Sequence, residues 1–184
     1  ISKADIFVFL NDVQFEKQSW QNRNKIRKTS FSNEDKWLTV PVDKNSKDYF
    51  LNKTQIFDED IWQTKHLNAI KSVYSKSPYF DKFYPILEAK LKDLGGEIYL
   101  AEINISILKW IVELIGINTK IIRSSELLSK GKNKEKLLNI CKEIGATSYL
   151  ANNATESYVS GEYFHDSGID FSTQDYKHPQ YLQI

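Results

Sequence analysis

The sequence predicts a mixed α/β fold: a mostly parallel sheet with covering helices, plus a small antiparallel hairpin element. Three observations predict it. A helical stretch, a glycine and a β-branched run follow one another three times in the second half. A continuous apolar run, Ile6-Phe7-Val8-Phe9-Leu10, lies near the start, and Trp37-Leu38-Thr39-Val40-Pro41-Val42 alternates apolar and polar residues. Helix-to-strand units in succession imply parallel strands with helices packed on them.

Along the chain, Ile6 to Leu10 reads as a central strand buried on both faces, because a short run with no polar alternation has no solvent side. A polar segment, Asn11 to Ser30, follows. Trp37 to Val42 suits an edge or hairpin strand, since Pro41 lacks a backbone donor. Asp58 is a good N-cap for a helix to about Lys76, with Trp62, His66, Ala69, Ile70 and Val73 on one stripe. Pro78 starts a further helix through Leu94, ended by Gly95-Gly96. The three repeats place Gly116 before Thr119 to Ile122, Gly145 before Thr147 to Leu150, and Gly168 before Ile169 to Phe171. Each glycine is where a helix would end in a left-handed cap.

With 184 residues, 41% hydrophobic and 27% charged, the chain is expected to form a packed core and a single domain over residues 1–184. A formal net charge of +1 gives no overall attraction to nucleic acid or to an anionic membrane. The apolar stretches Ile6 to Leu10 and Ile103 to Ile117 are too short or too interrupted to insert across a bilayer. Cys141 is the one cysteine, so no intrachain disulfide forms and a reducing, cytoplasmic location is expected. Beside Leu137, Leu138 and Ile144 it reads as a buried, inert thiol. The chain opens at Ile1 and contains no methionine, so an N-terminal segment, with a strand of the sheet, is expected to precede it.

The segment from Asn11 to Lys28 is chemically the most distinctive. In open α/β sheets ligands bind beyond the carboxyl ends of strands, which is where Asp12 and Gln14 fall. If the pleat continues, Asp12, Gln14 and Glu16 share one face. Lys17, Arg23, Lys25, Arg27 and Lys28 lie within twelve residues of one another with no acid between them, and Trp20 adds a stacking surface. Such a group suits phosphate, pyrophosphate or carboxylate, which arginine grips in bidentate fashion. A solvated loop with Trp20 folded onto the core explains the same residues equally well.

His66, one turn after Trp62 and one before Ile70, reads on spacing alone as a hydrogen-bonded core residue before it reads as a catalyst. His165 and His178 lack ligand-like partners, and no metal template is met. There is no G-x-G-x-x-G, no Walker A loop and no G-x-S-x-G elbow. Ser124-Ser125-Glu126, after a strand ending at Arg123, is read as the cap of a helix whose first N–H groups can also hold an anion.

Asp12-Val13-Gln14-Phe15, with Lys17, Trp20, Asn22-Arg23-Asn24 and Ile26, resembles the WbqC-like family. The likeness continues through Trp37 to Val42, His66-Leu67, Tyr74, Pro78-Tyr79-Phe80, Ser124 to Leu127, Ile140-Cys141-Lys142, Gly145-Ala146-Thr147, Tyr149, Gly168-Ile169, Asp175-Tyr176 and Pro179-Gln180-Tyr181. Family members usually carry a further strand ahead of Asp5 to Leu10 and continue past the point matched by Ile184.

The resemblance implies a transferase of surface-polysaccharide, O-antigen-type biosynthesis that attaches glycine or another amino-acyl group to a sugar or nucleotide-sugar. On this sequence it implies Asp12 or His66 as base, and Lys17, Arg23 and Asn24 as anion and oxyanion contacts. Gln14 and Trp20 would position substrate, with Asn22 and Ser125 among the substrate-binding residues. The partners expected are the sugar or nucleotide-sugar and an acyl donor, and the resemblance leaves any cofactor unknown. An ATP-dependent activating or nucleotidyl-transfer enzyme and a non-catalytic sugar- or nucleotide-binding protein are the alternatives, whereas nucleic-acid binding is not expected.

Overall fold

A computed structural model describes residues 1–32, 34–46, 49–57, 61–152 and 159–177. In chain order the elements are β1 (Ile6–Phe9), β2 (Arg23–Arg27), β3 (Asp35–Thr39), α1 (Ile61–Tyr74), α2 (Phe80–Asp93), α3 (Leu100–Leu114), β4 (Lys120–Arg123), α4 (Asn133–Glu143), β5 (Ser148–Ala151), α5 (Gly161–His165) and β6 (Asp170–Thr173). The fold is mixed α/β. The chain divides into two compact units, one formed by Ile1–Leu10 with Ile117–Gln180 and the other containing Asn11–Gly116.

In the first unit β1 pairs in parallel with β4, from Ile6 opposite Lys120 to Phe9 opposite Arg123. The Thr119 hydroxyl reaches the carbonyls of Ile1 and Ala4, both at 3.0 Å, and ties the start of the chain to this ladder. β5 pairs in parallel with β6. Phe164, fully buried, centres a core of Leu137, Leu138, Cys141, Val159 and Ile169, and the Tyr149 ring stacks on it at 5.0 Å.

The helix-glycine-strand repeats are realised at all three places. At the end of α4, Gly145 adopts φ +68, its N–H donates to the Lys142 carbonyl at 3.2 Å, and the Ala146 N–H donates to the Cys141 carbonyl at 2.9 Å. This Schellman pair satisfies two helix-end carbonyls and turns the chain into β5, which an L-residue would do under strain.

Two expectations need correction. β1 is half-buried rather than buried on both faces, and among the described residues it has one strand neighbour, β4. The parallel strands form two separate pairs there instead of one sheet. An apolar run reports that side chains leave water, and helices can cover them as well as further strands can.

In the second unit β2 and β3 form an antiparallel hairpin with Arg23 opposite Thr39 and Lys25 opposite Trp37. α1 lies against it: the Arg27 N–H donates to the Tyr74 hydroxyl at 3.2 Å. α2 packs on α1, and α3 packs on the turn Leu51–Lys53. α3 buries Leu100, Ala101, Ile103, Ile105 and Val112, a wide apolar stripe at helical spacing, and Asn104 donates from it to the Gln21 carbonyl at 2.8 Å. The second helix begins two residues after Pro78, and Pro85 lies inside it. Asp58, the expected cap of α1, is outside the described residues.

Candidate functional site

Asp12, Gln14, Lys17, Trp20, Asn22, Arg23, Asn24 and His66 all belong to the second unit, whereas Ser125 belongs to the first. β1 stops at Phe9, and extended pairing resumes only as a bridge between Gln14 and Phe50. The Val13 carbonyl accepts from Leu51 and the Phe15 N–H donates to Tyr49. Phe15 is buried and Gln14 and Glu16 are exposed, so the expected alternation holds from Gln14 to Glu16. Asp12 lies in the bend before it.

Residues 16–21 form a self-braced turn. The Glu16 N–H donates to Gln21 Oε1 at 2.8 Å, the Ser19 hydroxyl donates to the Glu16 carbonyl at 2.7 Å, and Gln18 takes a positive φ of 57. An Arg23 Nη2 N–H closes the turn by donating to the Gln18 carbonyl.

Four of the five cations of this segment separate into two roles. Lys25 pairs with Asp35 at 2.9 Å and Lys28 with Glu34 at 2.5 Å. The acids missing from the segment itself are therefore supplied across the hairpin, where exposed pairs of this kind contribute about 0–1 kcal/mol each. Lys17 and Arg23 are held instead by backbone carbonyls, those of Lys44 (2.6 Å) and Gln18. A carbonyl orients a cation without cancelling its charge, so these two keep a net positive field.

Arg23 also stacks on an indole. Its guanidinium carbon lies 4.1 Å from the Trp37 ring centroid, and Lys25 Nζ lies 5.1 Å from it. Trp20, 66% exposed, meets Trp37 at 5.0 Å between centroids with planes at 59°. Trp20 therefore stands out from the hairpin rather than folding into the core. Trp37 was not among the residues expected at the site. Only the strand register, which sets it beside Lys25 and Arg23, reveals its part.

His66 Nε2 lies 3.2 Å from the Thr39 carbonyl oxygen, directly across the hairpin from Arg23. The carbonyl can only accept, so Nε2 carries the proton and Nδ1 the lone pair. Burial lowers the imidazole pKa, against a smaller raising effect of the Thr39 hydrogen bond, and the ring is held in its neutral form. The Trp62 ring meets it edge-on at 5.2 Å. Asn22, buried, donates from Nδ2 to the Val40 carbonyl at 3.0 Å. Thus Asn22 and His66 bond to successive carbonyls at the strand end, Val40 and Thr39, and Arg23 stands opposite Thr39 in the register.

Ser124–Glu126 is a three-residue 3-10 turn, a correction to the capping role expected of these serines. The Leu127 N–H closes the turn on the Ser124 carbonyl, after which the chain extends until α4 begins at Asn133. Ser124 is buried and Ser125 exposed. Cys141 is buried, as expected, and burial pushes its thiol up to about 11. His165 is exposed, 3.9 Å from the Asp170 carboxylate, and His178 lies outside the described residues. No group of His, Cys, Asp and Glu among the described residues is placed to hold a metal ion, and no described helix is long and apolar enough to cross a membrane.

No solved structure matches the chain. An uncharacterized protein of Mycobacterium tuberculosis, Rv1507c, is 30% identical over 184 residues, a match that covers 96% of this chain and 74% of that protein. The model of the WbqC-like protein family matches residues 1–184. On these two findings, the chain belongs to the WbqC-like protein family.

Proposed function

We propose that the protein is a cytoplasmic transferase of surface-polysaccharide synthesis that moves glycine or another amino-acyl group onto a sugar or nucleotide-sugar. The observation that carries this reading is the neutral His66, oriented through Nε2 by the Thr39 carbonyl, on the same hairpin unit as Lys17 and Arg23, which bond to backbone carbonyls. Nδ1 of His66 accepts a proton from the attacking hydroxyl or amine. The freed lone pair forms the new bond to the acyl carbon, and the carbonyl oxygen becomes an oxyanion. Lys17, Arg23 and Asn24 supply its donors. Collapse expels the donor's leaving group, to which the proton on His66 returns.

Gln14, Trp20 and Asn22 hold the acceptor, Trp20 through its exposed ring face. Asp12 is the alternative base, and Ser125 is a substrate contact of its own unit. The family resemblance supports polysaccharide synthesis, and the placing of His66 on α1 against the hairpin supports its choice as the base.

The test is thermal-shift binding with nucleotide-sugars, glycine and ATP, repeated with Arg23→Ala. Stabilisation by a nucleotide-sugar that disappears in the variant is the expected result. Stabilisation by ATP alone, with pyrophosphate release, would replace this reading by an activating enzyme. Binding without any turnover would replace it by a sugar- or nucleotide-binding protein.

A further inference from the structure

The hairpin face that carries Arg23 also carries an exposed indole, and the turn before it supplies a second. Side chains alternate along a strand, so Arg23, Lys25 and Arg27 share one face of β2, and the register sets Thr39, Trp37 and Asp35 beside them on β3. Trp37 is 37% exposed and Trp20 is 66% exposed. Their planes meet at 59° with centroids 5.0 Å apart, so Trp37 props the Trp20 ring without lying flat on it, and the Trp20 indole keeps a face open to solvent. The Arg23 guanidinium carbon lies 4.1 Å from the Trp37 centroid. Steps of only 5.0 Å and 4.1 Å, through Trp37, therefore link the open ring of Trp20 to the cation.

Charge and ring together select the ligand. Asp35 is taken up by Lys25 at 2.9 Å, whereas Arg23 is held by the Gln18 carbonyl and keeps its charge for an anion. An indole face suits the flat face of a heteroaromatic ring, and every nucleobase has one. Carbohydrate also stacks on indole but brings no anion to Arg23, and pyrophosphate alone brings no ring to Trp20. A nucleoside diphosphate brings both, with its ribose as the spacer. A nucleic-acid strand offers the same chemistry, yet a strand-binding surface needs a wider basic footprint than a chain of net charge +1 supplies.

We propose that Trp20, Trp37 and Arg23 form a nucleotide subsite, in which a base stacks on the Trp20 ring and the phosphates of a nucleoside diphosphate meet Arg23. This deepens the transferase reading, on which it rests for the sugar that the nucleotide carries, and it selects a nucleotide-sugar over a free sugar. Trp37 is a positioning residue that props the ring and the guanidinium together. Arg23 is then the anion contact for the phosphates, and the oxyanion falls to Lys17 and Asn24.

The test is isothermal titration calorimetry of the full chain with UDP, ADP, inorganic pyrophosphate, uridine, D-glucose and an oligothymidylate. UDP or ADP is expected to bind about tenfold more tightly than pyrophosphate or uridine, the scale of one base–aromatic stack. Trp20→Leu should bring the nucleoside diphosphate down to the level of pyrophosphate, and Trp20→Tyr, which keeps a ring, should restore most of the difference. Because Trp20 is exposed, both variants should keep the circular dichroism of the wild type. Failure of both nucleotides to bind would overturn the proposal, as would pyrophosphate binding equally well or a Trp20→Leu variant that binds as the wild type does. Tighter binding of the oligothymidylate would reassign the face to a nucleic-acid strand. Glycine transfer to a free sugar without nucleotide binding would sink the subsite and leave the transferase reading, whereas nucleotide binding in a protein that transfers nothing would do the reverse.

Discussion

The guanidinium of Arg23 lies over the indole of Trp37, 4.1 Å from its centroid, although the two residues are fourteen apart in sequence and on different strands. The stack and the Gln18 carbonyl hold the charge in one place, so less side-chain freedom is lost when an anion arrives. Trp37→Leu is expected to cost about 1 kcal/mol in urea unfolding, in line with a partly exposed cation–π pair. It should also weaken nucleotide-sugar stabilisation while leaving helix content unchanged. A variant that binds as the wild type does would remove Trp37 from the site.

His66 gives a pH dependence with a definite sign. Its pKa in the folded chain is lowered, chiefly by burial, from the ordinary 6.5. Between the lowered value and 6.5 the unfolded chain binds the proton and the folded chain does not, so stability rises with pH across that window. The contribution is complete above 6.5 and is lost as pH falls through the folded value. Thermal unfolding at pH 7.5 and pH 5 should therefore show a drop in Tm that is smaller in His66→Gln. Activity should fall over the same acid limb as Nδ1 becomes protonated.

Cys141 should behave as part of the core. With its thiol pushed up to about 11, roughly one molecule in a thousand carries a thiolate at pH 8. Labelling by a thiol reagent in native buffer should be slow and should become fast in denaturant. Cys141→Ala should retain activity and lose about 1–2 kcal/mol of stability, the scale for losing one small buried side chain. Rapid native labelling would show that the α4 core opens readily.

Gly145 tests the helix-end reading. An added Cβ meets nothing within 4 Å, so Gly145→Ala isolates the cost of φ +68, about 1–2 kcal/mol. Gly145→Asn should cost less, because asparagine tolerates this conformation better. Equal stability of wild type and Gly145→Ala in denaturant melts would mean that the chain relaxes out of the Schellman turn.

Local chemistry was written into the chain directly. The glycines after α3, α4 and α5 marked the three helix ends because no other residue takes positive φ without a Cβ penalty. Apolar spacing placed α1, the helix-glycine-strand repeat placed the end of α3, the apolar neighbours of Cys141 placed it in the core, and Pro41 agreed with a hairpin strand ending just before it. Motif likeness singled out Lys17, Arg23 and His66 as candidate site residues. By itself, then, the sequence determined the α/β class, the helix-to-strand order of the second half and the family, whereas β2 lies in the stretch read as a polar segment.

Tertiary structure decided what depends on register and packing. Whether the cations of residues 17–28 were free depended on Glu34 and Asp35 across the hairpin, and whether Trp37 mattered depended on its standing beside Lys25. The neutrality of His66 depended on its burial, and the place of its proton on the carbonyl of Thr39, twenty-seven residues earlier. Residue type and spacing govern local backbone geometry, whereas charge pairing and desolvation depend on which distant groups the fold brings within a few ångströms.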